Sequence, residues 1–305
     1  MTESKSPRLK AIFISPSEPR LRAGWRLLIQ SILFVVLLIL FGAPIGMLAY
    51  SIQGDASGTT FFIASLIDEL IAVTASVYIA RRYLDKRSFA SLGFKWEPSV
   101  ILRDIVTGIV ITFIMMGLIF LAMTELGWLH FESFAWNTDP IPVVAGQTLL
   151  FFAIFILVGF NEELLSRGYH LQTITSGLNL YWGLAISSAI FGGLHLSNPN
   201  ATWVSAVGIF FAGLFLAYGF IRTGQLWLSI GLHLGWNFFE GIVFGFPVSG
   251  LATYPLIHIN VSGPEAWTGG AFGPEAGLIV LPALALGAIL IHLYTRSRVG
   301  RMQGE

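Results

Sequence analysis

The 305-residue, 33.4 kDa chain is 55% hydrophobic and only 11% charged, with a mean hydropathy of +0.75. A soluble domain carries about 25% charged residues, so an ordinary globular protein is excluded and lipid is the medium that accommodates this much apolar surface. Seventeen Lys and Arg balance seventeen Asp and Glu, which offers no attraction to nucleic acid, and the lack of cysteine excludes disulfides, a thiol nucleophile and thiolate metal sites.

Residues 1–26 carry Lys5, Arg8, Lys10, Arg20, Arg22 and Arg26 among Pro7, Pro16 and Pro19, and read as a basic, poorly ordered cytosolic tail. The apolar run that follows is too long for a signal peptide and lacks a small-residue cleavage site. Stretches of about 20 apolar residues predict helices at Leu27 to Tyr50, Phe61 to Ala80, Ile105 to Met123, Val143 to Gly159, Tyr181 to Leu196, Thr202 to Ile221, Leu226 to Phe246 and Ala276 to Leu293. The expected fold is an all-α polytopic membrane protein of about eight transmembrane helices. Its expected organisation is a tail at 1–26, three transmembrane helices at 27–139, a helical core at 140–246, an extracytoplasmic loop at 247–275, and a last helix with a basic tail at 276–305.

Cytoplasmic loops retain Lys and Arg, and all 17 fall in or beside segments 1–26, 81–104, 161–180, 222–225 and 294–305. The alternate segments hold Asp55, Glu125, Glu132, Asp139, Glu265 and Glu275 but no cation, which predicts cytoplasmic N- and C-termini. Trp128, Trp136, Trp203, Trp227 and Trp267 fall near span ends, as interfacial aromatics do. The Gly- and Pro-rich loop 247–275 is the longest connection and is long enough to cap a cavity.

An ionisable residue within a span costs at least ~2.5 kcal/mol, so each needs a partner or a purpose. In Asn161-Glu162-Glu163-Leu-Leu-Ser166-Arg167-Gly168, Glu163 and Arg167 share a helix face and can pair, while Glu162 lies about 100° away. In Phe191-Gly192-Gly193-Leu-His195, the glycines permit close approach of a neighbouring helix to a histidine that is either an interior residue or a catalyst. In His233-Leu-Gly-Trp-Asn237, flanked by Gly231, two hydrogen-bonding side chains again share a face and serve either chemistry or helix association. Asp68 and Glu69, adjacent in the second span, have either a supporting role or a local hydration role, and Glu240 is a weaker candidate of the same kind. At about 1.5 Å per residue from inner ends near Ser176, Tyr181 and Gln225, Glu162 and His195 lie roughly 21 Å deep, and His233 and Asn237 roughly 12 and 18 Å.

Glu162-Glu163-x-x-x-Arg167, Phe191-x-x-x-His195 and His233-x-x-x-Asn237, in this order on successive spans, resemble the CPBP family of intramembrane proteases. That family contains the type II CAAX prenyl proteases and the bacterial Abi or bacteriocin-processing proteins, and the resemblance covers roughly residues 140 to 246. It implies an intramembrane endopeptidase in which Glu162 activates water for attack on a peptide carbonyl, His195 helps bind that water, and His233 and Asn237 position it or stabilise the oxyanion. Glu163 and Arg167 then support Glu162. A Zn²⁺ held by Glu162, His195 and His233 is the metal-dependent alternative, although the HExxH helix of soluble zincins is missing and Asn is a poor zinc ligand.

The implied substrate is a membrane-anchored or lipidated peptide or protein, and the Phe-rich spans and small loops point to a bacterial cytoplasmic membrane as the setting. Two other readings stay open. A non-catalytic immunity or scaffold protein of the same fold uses the same polar residues to fasten helices, and a proton-coupled transporter uses Glu162, His195 and His233 as a relay. The second requires alternating access, yet the chain shows no inverted repeat.

Overall fold

The computed structural model describes residues 12–15, 18–54 and 59–302. The predicted tail cations Lys5, Arg8 and Lys10, with Pro7, Pro16 and Asp55, lie outside the described residues. The protein is 77% helical. In chain order the main elements are α1 (Ala23–Gln53), α2 (Thr59–Ile79), α3 (Pro98–Glu125), β1 (Leu129–Phe134), α4 (Ile141–Glu163), α5 (Gln172–Gly177), α6 (Leu180–Leu194), α7 (Trp203–Thr223), α8 (Leu226–Asn237), β2 (Ile257–Val261), α9 (Glu265–Thr268) and α10 (Val280–Met302). Among the described residues six helical stretches are long and apolar enough to cross a membrane, the longest being Ile141–Gly177, and Val280–Arg296 is a shorter apolar helix.

Several helices depart from α geometry at their ends. Ala80–Leu84, Leu164–Leu171 and Phe238–Val243 are π-helical continuations of α2, α4 and α8, and His195–Ser197 is a 3₁₀ turn closing α6. Such widened turns are uncommon and concentrate at functional segments. Here two of them follow directly on Glu163 and on Asn237.

The chain divides into two compact units. The first comprises Met1–Lys95 and Phe160–Ile186. Its frame is the α1–α2 pair, which is apolar on most faces and closely packed. Arginines from the basic N-terminal segment are buried here instead of being solvated: Arg20 and Arg26 converge with Arg81 on Asp85, and all four are at most 7% exposed. Arg26 also donates to Ser176 Oγ at 2.7 Å, and Arg81 to Gln172 Oε1 at 3.1 Å. The start of α1, the end of α2 and residues 172–176 therefore meet in one polar cluster.

The second unit comprises Trp96–Gly159 and Ser187–Glu305. Its centre is the α3–α8 pair, supported by α7 and α10. Small residues set the approach: a Cβ on Gly108 would strike the backbone of Gly231 and Leu232, and a Cβ on Gly231 would strike that of Ile105. The helix α7 begins in a capping box, with Ser205 N–H donating to Thr202 Oγ1 at 3.2 Å and Thr202 N–H to Ser205 Oγ at 2.8 Å. Its small-residue face, from Gly208 to Gly219, meets Glu275, Ser188 and Leu232 of the same chain.

One feature lies outside the all-α expectation. β1 and β2 pair antiparallel from Leu129↔Val261 to Phe134↔Ile257, with an irregularity between Phe131 and Ser133. Both strands alternate aromatic or β-branched residues with polar ones, a pattern that suits a half-buried ribbon, but each is too short for an apolar-span search to register. Loop 247–275 is consequently ordered, and its residues Pro247, Thr268, Gly270 and Gly273 line part of a small cavity of about 210 Å³.

Candidate active site

Within the first unit, α4 carries Asn161, Glu162 and Glu163 into the π-helical segment Leu164–Leu171. Arg167 Nη1 donates to Glu163 Oε1 at 2.7 Å, and both side chains are within 3% of complete burial. Such a buried pair compensates charge with charge, whereas removing one partner leaves an uncompensated charge. Glu162, one residue back, points off that face. Glu69 of α2 lies within electrostatic reach of Glu162, while Asp68 turns to α1, where a Cβ on Gly42 would collide with its carboxyl group. The two adjacent acids of the second span thus divide, one towards the candidate base and one towards α1. Asn161 is fully buried, and neither of its amide atoms has a hydrogen-bond partner among the described residues.

Within the second unit, His195 sits on the 3₁₀ turn after α6. Its Nδ1 lies 2.8 Å from Phe191 O. A carbonyl only accepts, so Nδ1 carries a proton, and Nε2 is the ring nitrogen left to face other groups. The Phe191 ring packs edge-on against both histidines, with its centroid 4.8 Å from that of His195 and 6.1 Å from that of His233. Gly192 is in close backbone contact with Ala206 of α7, whereas a side chain on Gly193 would meet open space. Only the first of the two glycines is needed for helix approach.

The helix α8 presents His233 and Asn237 one turn apart, each 6% exposed. Trp236, between them in sequence, donates its indole N–H to Glu275 Oε1 at 3.0 Å. Glu275 Oε2 accepts the Ser249 backbone N–H at 2.9 Å and the Ser249 hydroxyl at 2.5 Å. Burial pushes the Glu275 carboxyl up from its ordinary value, and the hydrogen bonds from Ser249 and the charges of His195 and His233 oppose that rise. Glu240 is completely buried beside it. Its carboxyl oxygens reach no hydrogen-bond partner of good geometry among the described residues, although Trp236 and Glu275 are its polar neighbours.

Glu275, Ser249 and Trp236 escape sequence reasoning. Glu275 reads there as one more acid of an outer segment, and neither Trp236 nor Ser249 stands out by charge or spacing. Among the described residues no group of three or more His, Asp or Glu side chains is arranged to hold a metal ion.

Long apolar helices that bury carboxyl, imidazole and amide groups define the class as an integral, multi-pass helical membrane protein. Residues 144–239 match the family described as Type II CAAX prenyl endopeptidase Rce1-like, in agreement with the CPBP resemblance of the motifs. Glu162, Glu163, Arg167, His195, His233 and Asn237 all fall inside the matched segment, whereas Glu240 and Glu275 fall outside it. No curated protein and no solved structure matched the chain.

Proposed function

We propose that this protein is an intramembrane endopeptidase that hydrolyses peptide bonds of membrane-anchored or lipidated substrates, prenylated CAAX-type sequences being the first class to test. The observation that carries this reading is the match over residues 144–239, which takes in every motif residue in order. The family is one of endopeptidases, so the broad assignment is a hydrolase. The residues suit the reaction. Glu162 takes a proton from a water molecule, and the water oxygen bonds to the scissile carbonyl carbon. His195, with Nδ1 protonated, offers Nε2 to orient that water. The side chains of His233 and Asn237 donate hydrogen bonds to the oxyanion as it forms. Collapse of the tetrahedral intermediate breaks the C–N bond, and the proton held by Glu162 passes to the leaving amine. Arg167 holds Glu163, which keeps a second carboxylate from competing for that proton.

We further propose eight spans with both termini cytoplasmic. The convergence of Arg20, Arg26 and Arg81 with residues 172–176 supports placing the start of α1, the end of α2 and the end of α5 on one side of the membrane. A bacterial cytoplasmic membrane is the setting we propose.

The test is to compare protein N- and C-termini in membranes of cells making the wild type and cells making Glu162→Gln, at equal folded yield. New termini that appear with the wild type only are the expected result, and their sequences name the substrate class. Matching profiles in several hosts would overturn the protease reading in favour of an immunity or scaffold protein.

A further inference from the structure

The residues that hold His195, His233 and Asn237 are tied together by a side chain from well outside the family segment. Glu275 belongs to the turn Pro274–Ala276, is 5% exposed, and engages two different stretches of chain. One oxygen takes the Trp236 indole N–H, which is anchored on α8 between His233 and Asn237. The other takes both the backbone N–H and the hydroxyl of Ser249. Ser249 has a φ of +47°, a left-handed conformation that a non-glycine residue holds only when its surroundings over-determine it. In that conformation its carbonyl accepts from Asn198 Nδ2 at 3.0 Å. Asn198 in turn caps the His195 turn, with its backbone N–H donating to His195 O at 3.1 Å. The continuous path is His195, Asn198, Ser249, Glu275, Trp236, α8. The backbone of Glu275 is itself clamped, since a Cβ on Gly208 of α7 would collide with its carbonyl.

We propose that Glu275 is a positioning residue for the hydrolysis, its carboxyl group fixing through Ser249 and Trp236 the two segments that carry His195, His233 and Asn237. This rests on the protease reading above. A carboxyl group suits the task because its two oxygens accept from three donors at once. A glutamine has one acceptor oxygen and turns an NH₂ towards either Trp236 or Ser249, so at least one hydrogen bond is lost. An aspartate keeps both oxygens but is one methylene short. Loop 247–275 is thereby part of the working machinery and more than a connection between spans.

The test uses the full chain purified in detergent, with a farnesylated C-terminal CAAX peptide as probe. Backbone hydrogen exchange is followed at 195–200 and 233–240, with 214–222 of α7 as internal control. Glu275→Gln is expected to speed exchange in the first two stretches about tenfold or more and leave the control unchanged. It is also expected to lower kcat about 10- to 100-fold, the usual scale for residues that orient catalytic groups, with KM within about twofold. Glu275→Asp is expected to recover part of kcat. If Glu275→Gln does not fold, Trp236→Phe, which deletes one donor, serves for the same measurements with smaller changes in the same direction. Unchanged exchange in both stretches overturns the proposal. So does an unchanged kcat in Glu275→Gln when Glu162→Gln is inactive, since the network is then scaffolding alone. A wild type that cleaves neither this probe nor any cellular protein overturns the protease reading instead, and the exchange data still decide whether Glu275 holds the two segments.

Discussion

In the first unit two buried acids face arginines: Asp85 receives Arg20, Arg26 and Arg81, and Glu163 receives Arg167, while Asp68 is packed against α1 instead. In the second unit buried acids are held by neutral donors, Glu275 by Trp236 and Ser249 and Asp104 by Tyr294 at 2.5 Å, while Glu240 is packed without such help. The two solutions have different consequences. An ion pair compensates charge with charge and fails badly when one partner is removed. Neutral donors fix a carboxyl group in position without neutralising it, so its field still reaches nearby histidines. The first arrangement suits anchoring and the second suits tuning of the proposed reactive centre.

Four expectations follow from this contrast. The largest is for Glu162→Gln, which removes the proposed base while leaving the Glu163–Arg167 pair in place and should lower the cleavage rate by about 10²- to 10⁴-fold. Size-exclusion profiles should stay like those of the wild type, so a misfolded variant would count against its role as base. Next in size, Asp85→Ala removes the carboxylate shared by the buried Arg20, Arg26 and Arg81, of which Arg20 keeps its pair with Glu18, and Arg167→Ala removes the buried pair with Glu163. Each should cost about 3–5 kcal/mol, read as a lowered unfolding midpoint in mixed micelles. A shift near zero for Asp85→Ala would mean that water reaches the cluster.

A smaller effect separates two glycines of the second unit. Gly231→Ala forces a methyl group into the Ile105 backbone and should cost about 1–3 kcal/mol, while Gly193→Ala meets open space and should be neutral or slightly stabilising. Thermal unfolding of both variants checks the pair, and equal losses would mean that α3 and α8 do not approach closely.

The smallest is a pH effect at Glu275. Its folded-state carboxyl is raised by burial above the ordinary value of 4.5, so the folded state binds the proton more tightly than the unfolded chain. The stability from this group is therefore fully present below the ordinary value and is lost as pH rises through the raised one. The unfolding temperature should fall over this window in the wild type and less steeply in Glu275→Gln, which does not titrate. Parallel slopes would assign the dependence to other groups.

The membrane class was legible from composition, because apolar content this high has no soluble interior to fill. The apolar runs are largely helical, since a helix is the structure that satisfies every backbone group within one segment in lipid, and six helical stretches among the described residues are long and apolar enough to cross a membrane. The motif residues were legible because ionisable groups are conspicuous in an apolar run, and the Glu163–Arg167 pairing because i and i+4 share a helix face. The β1–β2 ribbon was not, as its pairing joins residues more than a hundred positions apart.

What the sequence by itself determined is the class of protein and which polar residues stand out within its apolar runs, since both depend on local apolarity and helical spacing. Tertiary structure alone decided which groups are held and by what. Glu275 and Ser249 have no helical period or motif to mark them, and Arg20 and Arg26 read as solvated cations until Asp85 is brought to them. Long-range hydrogen bonds and ion pairs come from chain packing, and spacing along the sequence carries no record of them.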